Sequence, residues 1–374
     1  MPSSTPDQPH ARRPTRTASA RRLAALAVGV LAVGLASACG STSGPSAGSS
    51  PGTATTLRLG YFPNITHAVP LIGVDKGYYA KRLGSTKLET QTFNAGPAEI
   101  EALLSGGLDA GYIGPNPAIN AFAKTKGEGI RIISGAASGG VQFVVKPGIT
   151  TPADLRGKRI ATPQLGNTQD VALRAWLKGN GLTPSSATEA GDVQVEPTEN
   201  PTTLQLFKDG KLDGAWVPEP WASRLVLEGG GKVFLDEKTL WPAGKFVITH
   251  LIVRTEFLQK YPATVKALLE GHVDTTGWIS KNEDAARAAA NEALGKLPGG
   301  KPLKPAVLDR AWSGIELTND PVASSLKKSA DDAIGAGLLK PVDLKGIYDL
   351  RLLREVLGER GGGKVDDAGL AAGG

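Results

Sequence analysis

Cysteine is nearly absent from this chain of 374 residues, which holds a single one, Cys39. One cysteine excludes an intramolecular disulfide and any metal site built from several thiolates. Histidine is scarce as well, with four in the chain. We find no phosphate-binding glycine loop, no zinc motif and no credible pair of nucleophile and base. The sequence therefore predicts a protein that is not an enzyme and that carries no metal or cofactor.

Excess charge and long apolar runs are also lacking. The formal net charge is +6, but residues 1–38 hold five arginines against one acid, which leaves +2 for the rest of the chain. So small and dispersed an excess does not favour nucleic-acid binding. The uncharged run "LAALAVGVLAVGLASA" has sixteen residues, which is marginal for a membrane span.

The first 39 residues have the order of an export signal, with a basic region, an apolar region and small residues before a cleavage site. Cys39 follows "LASA" and resembles the lipidated cysteine of the bacterial lipoprotein box, although Ala36 stands where Leu is common. We expect residues 1–39 to be a lipoprotein signal segment and residues 40–56, rich in Gly, Ser and Thr, to be a flexible linker. An ordinary cleaved signal is the alternative, and the Sec and twin-arginine export routes both stay open.

From residue 57 onwards, short apolar runs alternate with amphipathic stretches, which predicts an α/β fold. Two such series follow each other, and beyond "VITHLIVR" the pattern becomes almost wholly helical. Residues 358–374 are rich in glycine and polar side chains, and we expect them to form a disordered tail.

One phrase occurs once in each series. "LDAGYIGPNPA" at residues 108–118 matches "LDGAWVPEPWA" at residues 212–222. All matched positions, including Asp109 and Asp213, are separated by the same distance in sequence. In both copies we expect a helix to end at glycine and Leu-Asp to lead into a strand. The loops after both strands should face one cleft, since open α/β sheets bind ligands beyond the carboxyl ends of their strands.

Residues 57–325 resemble the substrate-binding proteins of ABC importers, in the branch that serves nitrate, aliphatic sulfonates and taurine. The resemblance depends on "LRLGYFPNITHAVPLIGVDKGYYA", "LSGGLDAGYIGPNPAINAFA", "FVVKPGITTPADLRGKRIATPQLGNTQDVALRAWL", "LFKDGKLDGAWVPEPWASRL" and "HLIVRTEFLQKYPATVKALLEG". It implies an α/β, two-lobed clamp of the type II periplasmic-binding-protein fold with two crossover hinge strands, near residues 143–146 and 247–254. Lobe 1 would hold residues 57–145 and 248–357, and lobe 2 residues 146–247.

The resemblance also implies a function and partners. The protein would be a monomeric extracytoplasmic receptor, tethered to the outer face of the cell membrane by its lipid, that delivers a small solute to a permease and its ATPase subunits. Helix N-termini and neutral polar side chains suit an anion, because backbone N–H groups and the helix dipole attract negative charge. We expect the ligand to contact four loops that carry Asn64, Thr66, His67, Gly114, Asn116, Ser138, Gly139, Gly166, Asn167, Thr168 and Gln169.

The second copy of the phrase adds Trp216 and Glu219 to this predicted site. A carboxylate there would repel nitrate or a simple sulfonate but would hold the amine of a zwitterion such as taurine. An aminopyrimidine precursor of thiamine is the alternative ligand, since "PN" followed by His67 resembles its binding proteins. The related pyrimidine-synthase enzymes are the more distant alternative, because their cysteine-rich motif is absent here.

Overall fold

The computed structural model describes residues 52–185 and 189–371. The predicted signal segment with Cys39 and most of the predicted linker lie outside these residues, so lipidation stays a prediction. Within the described ranges, no helix has both the length and the apolar character that a membrane crossing requires.

Strands and helices alternate through most of the described chain. The strands are β1 (Thr56–Tyr61), β2 (Lys87–Thr92), β3 (Ala110–Ile113), β4 (Ile130–Gly139), β5 (Val141–Val145), β6 (Arg159–Thr162), β7 (Gln194–Pro197), β8 (Gly214–Pro218), β9 (Lys232–Asp236), β10 (Val247–Arg254) and β11 (Ile315–Leu317). The α-helices are α1 (Ala68–Asp75), α2 (Tyr78–Leu83), α3 (Gly96–Leu104), α4 (Pro115–Lys124), α5 (Thr168–Gly179), α6 (Asn200–Lys208), α7 (Trp221–Leu227), α8 (Thr255–Lys260), α9 (Pro262–Lys281), α10 (Glu283–Lys296), α11 (Pro305–Ser313), α12 (Leu326–Ala336) and α13 (Arg351–Glu359).

Two mixed sheets organise these elements. The first has the order β11-β4-β10-β3-β1-β2 and the second the order β7-β6-β8-β5-β9. We call the first sheet with its helices lobe 1, and the second sheet with α5, α6 and α7 lobe 2. The chain passes from β4 to β5 at Gly140 and returns between β9 and β10. The exact domain boundaries given above remain predictions.

The repeated phrase occupies the same position in both sheets. Leu59 of β1 lies opposite Ala110 of β3, and Ile160 of β6 lies opposite Gly214 of β8, both in parallel register. Ala110 and Gly214 are equivalent residues of the two copies. Each repeated strand also has an antiparallel neighbour on its other side, β10 for β3 and β5 for β8.

The polar and glycine positions of the two copies are equivalent as well. Gly106 and Gly210 follow α3 and α6 with φ of +81° and +74°, the left-handed conformation that glycine adopts without steric cost. Asp109 accepts a hydrogen bond from the Arg58 N–H at 2.9 Å, and Asp213 accepts one from the Arg159 N–H at 2.9 Å. Each aspartate thus binds the backbone at the start of the neighbouring parallel strand.

The C-terminal segment differs from the expected disordered tail. Helix α13 is followed by chain that returns to the body of lobe 1, where the Gly346 N–H donates to the Leu370 carbonyl at 2.9 Å. Arg354 and Asp367 form an ion pair at 2.7 Å, and Val365 is buried in the core. The burial of Val365 and these polar contacts hold the segment against lobe 1.

Candidate functional site

A small cavity lies between the two lobes, beyond the carboxyl ends of their strands. Its volume is about 30 Å³. A cavity needs about 10–15 Å³ of such volume to hold one water. Among the described residues that line it, none carries a formal charge. It therefore has room for a group of only a few heavy atoms, surrounded by neutral side chains.

The structure brings together seven of the residues that the sequence predicts for the site. Lobe 1 contributes three from the segment after β1 and one from the segment after β3, and lobe 2 contributes three from the start of α5. These residues are Asn64, Thr66, His67, Gly114, Asn167, Thr168 and Gln169. A Cβ at Gly114 would collide with the Thr168 hydroxyl, so the glycine permits the close approach of the two lobes.

Asn64 turns a hydrogen-bond donor towards the cavity. Its Oδ1 accepts from the indole N–H of Trp221 at 2.8 Å, and its side chain is almost fully buried. An amide has one oxygen acceptor and one NH2 donor. Since the oxygen is engaged, the group left for a bound molecule is Nδ2.

His67 is fixed as a neutral donor by a local contact. Its Nδ1 accepts from the Phe62 N–H at 3.2 Å, and its ring stacks on Phe62 at 4.4 Å between centroids. Burial lowers the pKa of His67 to about 3, so the imidazole is neutral at ordinary pH. A neutral ring that accepts at Nδ1 carries its proton on Nε2. His67 is therefore a donor without being a cation.

Gln169 also offers a hydrogen-bond donor rather than an acceptor. Its Oε1 accepts from Asn167 Nδ2 at 3.0 Å, while Asn167 Oδ1 accepts from the Asp170 N–H at 2.8 Å and caps α5. Both polar atoms of Asn167 are thus used inside the protein, and the cap is compatible with its place at the cavity wall. The group of Gln169 that remains is Nε2, a donor.

Two buried polar atoms at the cavity have no hydrogen-bond partner within the described residues. They are Thr168 Oγ1 and Asn200 Oδ1, on side chains that are 7% and 3% exposed. An unsatisfied buried polar group costs about 1–3 kcal/mol. Thr168 and Asn200 both line the cavity wall, but the two atoms themselves have almost no accessible surface.

Four other predicted residues lie outside the cavity. Asn116 donates from Nδ2 to the Ser329 carbonyl at 2.8 Å between α4 and α12, and helix α4 is capped by Gly114 instead. Ser138 and Gly139 pair with Glu316 and Ile315 inside the first sheet. Gly166 precedes helix α5, adopts the left-handed conformation and donates its N–H to Asp170.

The two residues from the second copy of the phrase are also engaged elsewhere. Trp216 is fully buried in lobe 2, stacks on Phe143 and donates from Nε1 to Glu237 at 2.6 Å. Glu219 is 1% exposed and accepts from the Ser223 N–H at 3.0 Å and from Arg310 at 3.1 Å. Burial raises the pKa of Glu219. Neither residue lines the cavity, and the protein itself supplies the hydrogen-bond partners of both.

Sequence reasoning missed two asparagines at the cavity wall. Asn94 follows β2 and Asn200 follows β7, and both line the cavity. Strands β2 and β7 are equivalent neighbours of β1 and β6 in the two sheets. The rule about carboxyl ends of strands could have identified both asparagines, had it been applied to every strand of the series.

A larger outer cavity adjoins the inner one. Its volume is about 470 Å³, and it shares Asn94 and Pro163 with the inner cavity. Glu199, whose side chain is exposed, contributes to its wall. A molecule whose anionic group fills the inner cavity therefore has space for a longer substituent in the outer one.

Comparison with known families identifies a match over most of the described chain. The sequence model of the NMT1-like family matches residues 50–294. The chain is 28% identical over 232 residues to the taurine-binding periplasmic protein of Escherichia coli (strain K12). This match covers 59% of this chain and 69% of that protein. The chain is 28% identical over 264 residues to the nitrate/nitrite binding protein NrtA of Nostoc sp., covering 64% of this chain and 57% of that protein.

The architecture is shared with solved structures as well. The alkanesulfonate-binding protein SsuA from Xanthomonas axonopodis pv. citri, bound to MOPS, superposes with a TM-score of 0.63 at 21% identity. That superposition covers 77% of this chain and 96% of SsuA. The predictions of the family and of the two-lobed α/β fold are confirmed. The chain spans less than two thirds of the nitrate-binding relative.

Proposed function

The chain belongs to the NMT1-like family, and from this premise we propose that it is the extracytoplasmic solute-binding receptor of an ABC importer. It encloses a small oxyanion, or the anionic group of a sulfonate or of a zwitterion such as taurine, between its lobes. It makes and breaks no covalent bond. The permease and its ATPase subunits receive the solute.

The polarity of the inner cavity carries this proposal. Asn64, His67 and Gln169 each have their acceptor atom engaged by another group of the protein. They therefore leave three donors around one small space that no charged side chain lines among the described residues. Converging neutral donors match an anion and mismatch a cation. The N-terminus of α5, which begins at Thr168, adds a favourable dipole.

The position of Glu219 supports an anion rather than an amine as the group that enters the inner cavity. The case for an amine depended on a carboxylate at the ligand, and this carboxylate is bound to Arg310 and Ser223 instead. An aminopyrimidine loses the same support. Taurine remains compatible, since its sulfonate fits the inner cavity and its ammonium group would extend into the outer cavity beside Glu199.

Release to a permease requires the lobes to separate. Hinge-bending receptors open and close by rotation at a few crossing segments. Here the chain crosses between the sheets twice, and contacts such as Trp221 with Asn64 join the lobes across the cleft. Separation of the lobes would break these contacts and expose the cavity to solvent.

The lipid anchor at Cys39 is part of the proposal and has its own test. Cys39→Ser removes the only thiol of the chain. We expect the wild-type protein to fractionate with membranes and Cys39→Ser to be recovered in the soluble extracytoplasmic fraction. Equal membrane association of both proteins would remove the anchor and leave the binding function unaffected.

The binding function is tested by titration calorimetry of the purified protein with taurine, methanesulfonate, nitrate, bicarbonate and an aminopyrimidine. We expect saturable binding of at least one of the anions or of taurine, and an increase in thermal stability with its concentration. Saturation by the aminopyrimidine alone would replace the anion assignment. Failure of all five would contradict the proposed ligand class.

A further inference from the structure

We propose that Trp221 is a positioning residue that makes Asn64 a hydrogen-bond donor to the bound anion. This inference depends on the proposed function, because it concerns the same cavity. Trp221 begins helix α7 of lobe 2, whereas Asn64 follows strand β1 of lobe 1. Their hydrogen bond, at 2.8 Å between Trp221 Nε1 and Asn64 Oδ1, therefore joins the two lobes.

The indole group can select only one orientation of the amide. Indole N–H is a donor without acceptor capacity, so it binds the oxygen of Asn64 and not its NH2 group. Trp221 is the only hydrogen-bond partner of the Asn64 side chain among the residues that the structure describes. Rotation of the amide by half a turn would break this bond and place the oxygen against the anion.

The indole itself is held firmly. Trp221 is 8% exposed, packs in the apolar core of lobe 2, and lies under the guanidinium of Arg224 at 4.9 Å from the ring centroid. A donor fixed in this way does not adapt to the other orientation of the amide. Since Trp221 and Asn64 belong to different lobes, Asn64 acquires its donor orientation when the lobes close. Closure and anion recognition are thereby linked.

The test measures anion affinity and dissociation rate in Trp221→Phe, Asn64→Ala and the double variant. The probe is whichever of taurine, methanesulfonate, nitrate and bicarbonate binds the wild type most tightly. Trp278→Phe is the matched control, because Trp278 is half-buried on α9 of lobe 1 beside Lys76 and does not line the cavity. Melting curves establish that each variant is folded.

We expect Trp221→Phe to weaken binding about fivefold, through faster dissociation, because one hydrogen bond that orients a donor is lost. Trp278→Phe should match the wild type. On the Asn64→Ala background, Trp221→Phe should cause no further loss, since its effect is exerted through Asn64. Equal losses on both backgrounds, or wild-type affinity in Trp221→Phe, would overturn the inference while leaving the receptor function standing.

Asn64→Asp keeps Trp221 intact and tests the polarity directly. A carboxylate still accepts from the indole but offers only acceptor oxygen to the cavity. We therefore expect Asn64→Asp to bind the probe more weakly than Asn64→Ala. Equal or tighter binding by Asn64→Asp would contradict the inference even if Trp221→Phe did not fold. Absence of binding by the wild type to all four probes would overturn the proposed function itself.

Discussion

Arg310 of α11 donates a hydrogen bond from Nη1 to Glu219 Oε1 at 3.1 Å, and the same guanidinium donates to Gln142 at 2.6 Å. Glu219 and Gln142 belong to lobe 2, whereas α11 precedes strand β11 of the first sheet. The carboxylate that the sequence suggested for ligand binding thus joins the C-terminal helical region to lobe 2. It stabilises the arrangement of the lobes outside the cavity.

Glu219→Gln should lower the free energy of unfolding by about 1 kcal/mol and leave anion affinity within about twofold. The single amide oxygen can accept from the Ser223 N–H or from Arg310 but not from both, so one hydrogen bond is lost together with the ion pair. Arg310 is partly exposed and keeps its bonds to Gln142 and the Ser223 hydroxyl, which limits the loss. Denaturant unfolding and calorimetry check the two quantities. Glu316→Gln is the control, because its ion pair with Lys245 is exposed and such pairs contribute little. A loss of taurine affinity would return Glu219 to the ligand site.

The two aspartates of the repeated phrase should differ in their contribution to stability. Asp109 is buried and pairs with Arg58 and Arg254 at 2.7 and 3.2 Å, whereas Asp213 is partly exposed and lies 4.0 Å from Lys158. We expect Asp109→Ala to cost about 3 kcal/mol and Asp213→Ala about 1 kcal/mol. Urea denaturation of the two variants measures both values. Equal costs would show that the backbone hydrogen bond, which both aspartates make, outweighs the ion pairs.

Gln169→Leu should weaken anion binding about tenfold, because a hydrogen bond to a charged group contributes about 1.5–3 kcal/mol. The side chain keeps its volume at the cavity wall but loses the donor Nε2. Gln205→Leu is the control, since Gln205 is exposed on α6 and bonds only to Asp209 within the described residues. Titration calorimetry compares the two variants. Unchanged affinity in Gln169→Leu would exclude this donor from the site.

Glu237 should make stability fall as pH rises. Burial raises the pKa of Glu237 to about 7. Hydrogen bonds from two tryptophan N–H groups and the charge of Lys328 oppose this rise, and the charge of Asp332 adds to it. A carboxyl whose pKa is higher in the folded state contributes stability that is present below about pH 4.5 and lost as pH rises towards 7. Relative to Glu237→Gln, the wild type should lose on the order of 2 kcal/mol between pH 5 and pH 8.

Chemical denaturation of the wild type and Glu237→Gln at pH 5 and pH 8 checks this dependence. The buried histidines titrate in both proteins, so their contribution cancels in the comparison. A constant difference between the two proteins across this range would show that Glu237 keeps its ordinary pKa.

His67 should leave anion affinity independent of pH. Its pKa is lowered to about 3 by burial, so the ring is neutral throughout pH 5–8 and donates from Nε2 without a charge. Nitrate and methanesulfonate stay singly charged over this range and are suitable probes. Calorimetry at pH 5.5 and pH 8 should give affinities within about twofold. An affinity that rises below pH 6.5 would indicate a protonated imidazole in the site.

The repeated phrase shows how far pattern alone can reach. Glycine after a helix and Leu-Asp before an apolar strand are local features, and both copies form the predicted unit in equivalent positions of the two sheets. The loops after β1, after β3 and before α5 reach the cavity for the same reason, since the strand order places carboxyl ends together. Seven of the predicted site residues follow from this rule.

The remaining site residues were decided by contacts between distant parts of the chain. Asn64 follows β1 and Asn116 is the second residue of α4, which follows β3. Asn116 nevertheless binds Ser329 between helices, whereas Asn64 binds Trp221 across the cleft. Glu219 is bound by a residue 91 positions away. Local sequence contains no information about such partners, because each polar group binds whichever complementary group the packing brings closest.

The sequence by itself determined the α/β series, the equivalent strand in each lobe and the neutral character of the loops at the cleft, because these depend on periodicity and on residue type. Tertiary structure decided the polarity of the cavity. An asparagine, a glutamine and a neutral histidine can each donate or accept. Trp221, Asn167 and the Phe62 N–H occupy the acceptor atoms of Asn64, Gln169 and His67, and only that occupancy turns three ambiguous side chains into donors for one anion.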